Sequence, residues 1–254
     1  MKKSLLILAI AVLFLVSCAS STVQEISEDG MMAPEETYQI EEPGIVNHPQ
    51  NTNPTRFTND GDGTSMTEEE ISGIVFMREE EKLARDVYLQ LADLWGMNIF
   101  GNIAGSEDTH MGAVLTLIEM TGAEDPAEGL GQGEFLNQDL QELYYDLIAQ
   151  GGQSLADALL VGAVIEEIDI LDLQKYLAQT DDGSITEVYQ NLLKGSINHL
   201  NAFVRTYERQ TGEEYQPQIL TEELFQELLS AAYQGKGNGQ RGRSDQPRGL
   251  GQAN

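Results

Sequence analysis

Four stretches of this 254-residue chain put an ionisable side chain where an amphipathic helix needs an apolar one. The positions Ile74, Met77, Glu81, Ala84, Tyr88, Leu91 and Trp95 advance in steps of three and four, with Glu81 near the middle. A second stripe runs Phe100, Ile103, Glu107, His110, Val114, Leu117, so that a carboxylate and an imidazole share one face at i, i+3. The third, Leu155, Leu159, Gly162, Glu166, Asp169, Leu173, Leu177, holds two acids, and Glu167 replaces Glu166 if the helical phase shifts by one. The fourth, Ile185, Val188, Leu192, Ser196, His199, Phe203, turns a second histidine inward. A buried ionisable group must find a partner or meet a large desolvation penalty. Acids and imidazoles from four helices would repel or stay unsatisfied by themselves, and one divalent cation relieves both problems. The expected metal ligands are therefore Glu81, Glu107, His110, Glu166, Asp169 and His199. Mixed carboxylate and imidazole donors suit iron or manganese, with zinc also compatible.

The elements that must position these groups are all helical. Between residues 67 and 216 only Pro126 interrupts the chain, and no strand alternation appears. Thr67-Glu68-Glu69-Glu70 and Ser184-Ile185-Thr186-Glu187 fit the capping box, and Ser154 with Asp157 fits its Asp variant. Helices are expected at about 67–95, 99–121, 134–150, 154–179, 184–210 and 221–233. Short joints around Gly96 and around Asp181-Asp182-Gly183 make two antiparallel pairs, while the longer piece 122–153 holds a short helix near Phe135–Ile148. The expected fold is all-α, a four-helix bundle with one long crossover containing a short extra helix, which is the ferritin-like arrangement. The acidic runs Glu68–Glu70 and Glu79–Glu81 read as solvated helix face apart from Glu81. Gly129-Leu130-Gly131-Gln132-Gly133 follows no strand and reads as a flexible loop rather than a nucleotide cradle.

Taken together, Glu81 with Ala84-Arg85-Asp86 and Tyr88, Phe100-x-x-Ile103-Ala104-x-x-Glu107-x-x-His110, Ala158-Leu159 before Glu166, and His199 with Phe203 resemble the ferritin-like, rubrerythrin-type di-iron carboxylate bundle. More narrowly, Met77–Tyr88, Val161–Leu173 and Gly195–Phe203 are similar to a bacterial and archaeal ferritin-like family called domain of unknown function 2202, over about residues 67–210. The resemblance implies Glu81 as the first-helix ligand, Glu107 and His110 as the Glu-x-x-His pair, Glu166 from the third helix and His199 from the fourth. It also implies redox chemistry with oxygen or peroxide, and Tyr88 is either a hydrogen-bond or radical partner or an ordinary core aromatic. Ser196 stands where the full pattern carries a bridging Glu. That departure leaves open a di-iron centre completed by Asp169 or water, a single metal, or none.

Composition bounds the rest. With 42 Asp+Glu against 14 Lys+Arg the formal net charge is -28, which excludes a general nucleic-acid binder. Hydrophobic residues make up 41%, enough for one ordinary core plus some unfolded chain. The start, Met1-Lys2-Lys3 then Leu5 to Leu15, reads as a signal peptide, and Leu15-Val16-Ser17-Cys18 resembles the bacterial lipobox. Cys18 is the only cysteine and is the expected lipidation site. The expected organisation is a signal at 1–18, an acidic Pro-rich tether at 19–66, the helical domain at 67–212, a C-terminal helix packed on it at 213–234, and a Gly/Arg-rich tail at 235–254. Ala19 lacks the Asp of an inner-membrane retention signal, so the expected place is the cell envelope, facing the periplasm from the outer membrane where the host has one. Expected partners are a lipid membrane through Cys18 and no nucleic acid; a homo-oligomer is left open, and no redox partner is specified. Two functions follow: a tethered metalloprotein binding iron or manganese, which oxidises ferrous iron or consumes oxygen or peroxide, or a non-enzymatic helical envelope module.

Overall fold

The structure, a computed structural model, describes residues 66–237. The signal, Cys18, the tether and most of the tail lie outside the described residues. Six helices and no strand occur among the described residues: α1 Glu68–Trp95, α2 Asn98–Thr121, α3 Gln138–Gly151, α4 Leu155–Leu177, α5 Gly183–Thr211 and α6 Glu222–Gly237. None of these helices is long and apolar enough to cross a membrane.

Local chemistry sets most boundaries. Thr67 and Glu70 form a reciprocal capping box at the start of α1, and the Ser154 hydroxyl accepts from the Asp157 amide at the start of α4. The Gly96 backbone at φ 64° closes α1, a left-handed turn that an L side chain resists. Two expectations need correction. α5 is capped by Asp182, whose carboxylate accepts from the Ser184 and Ile185 amides, and not by Ser184. α3 starts four residues later than expected because Asn137 is its cap and the carboxylate of Glu79 takes the Leu136 and Asn137 amides at 2.6 and 3.1 Å.

α1 pairs with α2 and α4 with α5, and α1 also packs on α4 and α2 on α5. Their contacts fix the directions. Gly73 lies against Tyr176 while Tyr88 reaches the Gly162 carbonyl, so α4 runs antiparallel to α1. His110 lies on Gly195 and Ser106 meets His199, so α5 runs antiparallel to α2. Hence α2 and α4 run the same way, and the connection between them must travel the length of the helices. That connection is pinned down. Lys82, 1% exposed, donates to the Gly131 carbonyl at 2.7 Å and pairs with Asp86 at 2.5 Å, while the Gly133 amide donates to Asp86 at 2.9 Å. The glycine loop read as flexible is therefore held by a buried ion pair.

The core falls into two apolar clusters. One gathers Leu83, Val87, Phe100, Ala104, Leu159, Ile165, Leu200 and Phe203 among others; the other gathers Ile74, Met77, Val114, Leu117, Leu173, Ile185 and Leu192. On α1, α2 and α5 the two clusters leave a gap that holds Glu81, Glu107 with His110, and Ser196 with His199, while on α4 Glu166 and Asp169 alternate with Ile165, Ile168 and Ile170 of the first cluster. An ionisable layer is thus sandwiched between two hydrophobic ones.

Candidate metal centre

Glu107 is the hub of that layer. The Nδ1 atom of His110 lies 2.7 Å from its Oε2, and the Nδ1 atom of His199 lies 2.8 Å from its Oε1. Each histidine also faces a second acid: Glu81 Oε2 is 3.3 Å from His110 Nδ1, and Glu166 Oε2 is 3.6 Å from His199 Nδ1. The two rings stack with centroids 5.5 Å apart. Glu81, Glu107 and His110 form one triad and Glu107, Glu166 and His199 another, the donor atoms of each lying within 4.8 Å of one another.

The short contacts are not all hydrogen bonds. His199 Nδ1 and Glu107 Oε1 have no hydrogen-bond partner although they are 2.8 Å apart, so the N–H direction misses the oxygen. Glu81 Oε1 is likewise buried without a partner. Nitrogen and oxygen atoms that are close together yet poorly aligned for a hydrogen bond form a donor set that a cation could share. The other edge of His199 is occupied: Nε2 lies 3.0 Å from the Ser106 hydroxyl, which fixes the ring and frees Nδ1 to face the acids. Gly195 makes room for His110, since a Cβ there would come within 2.5 Å of the ring Cε1. Tyr88 is a wholly buried core residue, and its hydroxyl also donates to Glu166 Oε1 at 2.6 Å.

Electrostatics follow from this crowding. Burial works against ionising Glu107, but His110 and His199 overcome it and hold its carboxyl down at about 2. Burial opposes the charged imidazoles too, yet Glu107 and Glu81 push His110 up to about 11, and Glu166 and Glu107 push His199 up to about 10. Glu81 and Glu166 are raised, chiefly by burial, to about 8 and about 7.

Five of the six expected ligands therefore meet. Asp169 stands apart from both triads: the Ser196 hydroxyl donates to its Oδ2, and its Oδ1 is buried without a partner. Glu167, the alternative to Glu166, faces elsewhere and accepts from the Gln218, Ile219 and Leu220 amides and the Tyr215 hydroxyl. Sequence reasoning missed Ser106 because it sits one step round the helix from the ligand stripe, where periodicity carries no signal. It also misplaced Glu79 and Glu80. Both are 4% exposed, against the expectation of a solvated face, because neighbours enclose this turn of α1 on every side.

Residues 70–232 match the sequence profile of a family described as "Uncharacterized protein domain (DUF2202)". The chain belongs to this family. The DUF2202 match covers both triads and α3, and ends within α6. The DUF2202 chain is 48% identical over 167 residues to the uncharacterized protein MJ0754 of Methanocaldococcus jannaschii, spanning 66% of this chain and 90% of that relative. It is also similar to the crystal structure of the hypothetical protein MJ0754 from Methanococcus jannaschii DSM 2661. The TM-score is 0.64 at 47% identity, over 66% of this chain and 96% of that one.

Proposed function

We propose that this protein is a ferritin-like metal-binding protein in which Glu81, Glu107, His110, Glu166 and His199 hold iron, or manganese in its place. The directions of the four long helices, with a crossover between two parallel ones, support the ferritin-like reading of the all-helical fold. The observation that carries the metal reading is the pair Glu107 Oε1 and His199 Nδ1, buried, 2.8 Å apart and not hydrogen-bonded. Three carboxylates and two imidazoles are the donor set that iron and manganese accept.

When bound, iron would supply redox chemistry, and the reaction class we assign is oxidation of ferrous iron or reduction of oxygen or peroxide. The chain's own groups do the rest. Glu107 links the two triads, Ser106 orients His199, and Gly195 lets His110 approach. Tyr88 holds one oxygen of Glu166 and leaves the other toward His199. The apolar layers on either side bury the three carboxylates, while each histidine keeps 12% of its side chain exposed. With Ser196 where a bridging Glu would stand, the centre holds either one ion or two, with Asp169, whose Oδ1 is buried without a partner, as a spare carboxylate. We further propose that acylation of Cys18 anchors the chain in the cell envelope.

A second reading rests on the same contacts: charged His110 and His199 flanking ionised Glu107 would balance one another in a metal-free helical module. The two readings separate on metal analysis of protein purified without chelator beside a Glu107→Ala/His110→Ala variant. Stoichiometric iron or manganese in the wild type, lost from the variant, is the expected result. Equal and negligible metal in both would leave only the second reading.

A further inference from the structure

The ionisable layer meets water at its two imidazoles. The side chains of Glu81, Glu107 and Glu166 are only 1%, 3% and 3% exposed, whereas those of His110 and His199 are each 12% exposed. The two rings stack across the seam where α2 and α5 run side by side, with centroids 5.5 Å apart. Both helices bring the same spacing to this seam. Ser106, His110 and Ala113 stand at i, i+4, i+7 on α2, as Gly195, His199 and Ala202 do on α5, and all six are half-buried. The histidine of each trio meets the first residue of the other: His199 Nε2 lies 3.0 Å from the Ser106 hydroxyl, and a Cβ on Gly195 would come within 2.6 Å of His110 Nε2. While Nδ1 of His110 faces Glu107 and Glu81, its Nε2 has no hydrogen-bond partner among the described residues and lies over the bare backbone of Gly195.

Hydrophobic packing does not ask for small residues beside both rings. Ala113 packs on the cluster that holds Val114 and Leu117, and Ala202 on the one that holds Leu200 and Phe203, so a longer apolar side chain at either place would extend the core. A helical side chain leans toward the N-terminus and covers the turn before its own Cα. Residue 113 therefore lies over His110 and residue 202 over His199, and alanine at both leaves the ring edges uncovered. In the layer behind the rings stand Glu81 Oε1 and Glu107 Oε1, buried and without hydrogen-bond partners. We propose that this seam is the mouth of the centre, through which a small uncharged reactant, dioxygen or hydrogen peroxide, reaches it, and that Ala113 and Ala202 set its width. The inference rests on the metal-centre reading above. The rim is formed by Ser106, Ala113, Gly195 and Ala202, none of them charged, in a chain whose formal charge is -28. Such a rim favours a neutral molecule over an ion, whose desolvation it does nothing to offset.

The test is the rate at which nitric oxide, a neutral diatomic molecule, binds the full chain loaded with ferrous iron in the absence of air, followed by rapid mixing and the absorption of the bound iron. Ala113→Met and Ala202→Met each lay a long side chain over one ring and are each expected to slow binding by about tenfold, equivalent to about 1.4 kcal/mol of barrier. Their iron content is expected to match the wild type, because no ligand is touched, and circular dichroism checks their folding. Ala202→Gly widens the mouth and is expected to bind nitric oxide faster at unchanged iron content. Wild-type rates in both methionine variants would overturn the mouth while leaving the centre intact. Should those variants lose iron or fail to fold, Ala202→Gly decides, and a wild-type rate there overturns the mouth. Iron-loaded wild type that binds no nitric oxide would overturn it too. A wild type that takes up no ferrous iron would defeat the centre itself, and the mouth with it.

Discussion

His110 can approach Glu107 only because residue 195 has no side chain, and His199 can present Nδ1 only because Ser106 occupies its other nitrogen. The type of the clustered groups is therefore half of the design, and the layer of residues behind them is the other half. Outer partners of this kind are worth about 10- to 100-fold in metal affinity, so Ser106→Ala is expected to weaken binding by that factor while Ser106→Thr retains it. Competition titration against a chelator reads the difference, and equal affinities would show that Ser106 does not orient the ring. The clustered ionisable groups themselves were legible: Glu107 and His110 stand at i, i+3 on an otherwise apolar stripe. Ser106 was not, since a residue one step off the stripe becomes relevant only when another helix brings His199 to it.

At the scale of elements, the turn Glu79–Lys82 is the joint of the molecule. Four consecutive charged residues cover the full circumference of a helix, and here each faces a different neighbour. Glu79 holds the start of α3, Glu80 faces Asp172, Glu81 faces His110, and Lys82 holds the crossover at Gly131. Breaking a buried pair such as Lys82 and Asp86 by removing one partner costs about 3–5 kcal/mol, which makes this turn a structural requirement as well as the source of Glu81 in the ionisable layer. The neighbouring Arg78 ties the crossover in a similar way, with its Nε and Nη2 each 3.0 Å from the Asp125 carboxylate. Burial acts to raise Asp125, but the bonds from Arg78 and from the Ala127 amide prevail and hold it below its ordinary 3.8. A depressed acid contributes stability above its unfolded value and loses it as pH falls through the folded one. Asp125→Asn is therefore expected to be less stable than the wild type by about 1 kcal/mol near neutral pH, as fits a partly exposed ion pair. The gap should narrow as pH falls below about 4, where the wild-type acid also becomes neutral. Urea midpoints of the two proteins across that range check it. A gap independent of pH would mean that the ion pair contributes nothing.

The whole molecule carries a formal charge of -28 and encloses an ionisable layer between two apolar ones. A cation bound in that layer would favour the folded state by mass action, by about 2.7 kcal/mol at a hundredfold excess over Kd. For a domain of this size the melting midpoint is expected to rise by about 5–10 °C on adding ferrous or manganous ion, and to fall back with a chelator. Scanning calorimetry measures this, and a midpoint indifferent to metal would favour the self-balanced helical module. The acidic surface works in the same direction, since it concentrates cations and repels nucleic acid.

The sequence by itself determined the all-helical class, the order of six helices, the caps at Thr67 and Ser154, and which five ionisable residues converge. These are properties of local spacing: a 3.6-residue period fixes which residues share a face, and caps act within one turn. What only the tertiary structure decided is everything set by contact between distant segments. It buried Glu79 and Glu80, pinned the glycine loop at Gly131 and Gly133, moved the cap of α5 to Asp182 and gave Asp169 to Ser196. Charge patterns state which residues can face water, and packing decides which of them do.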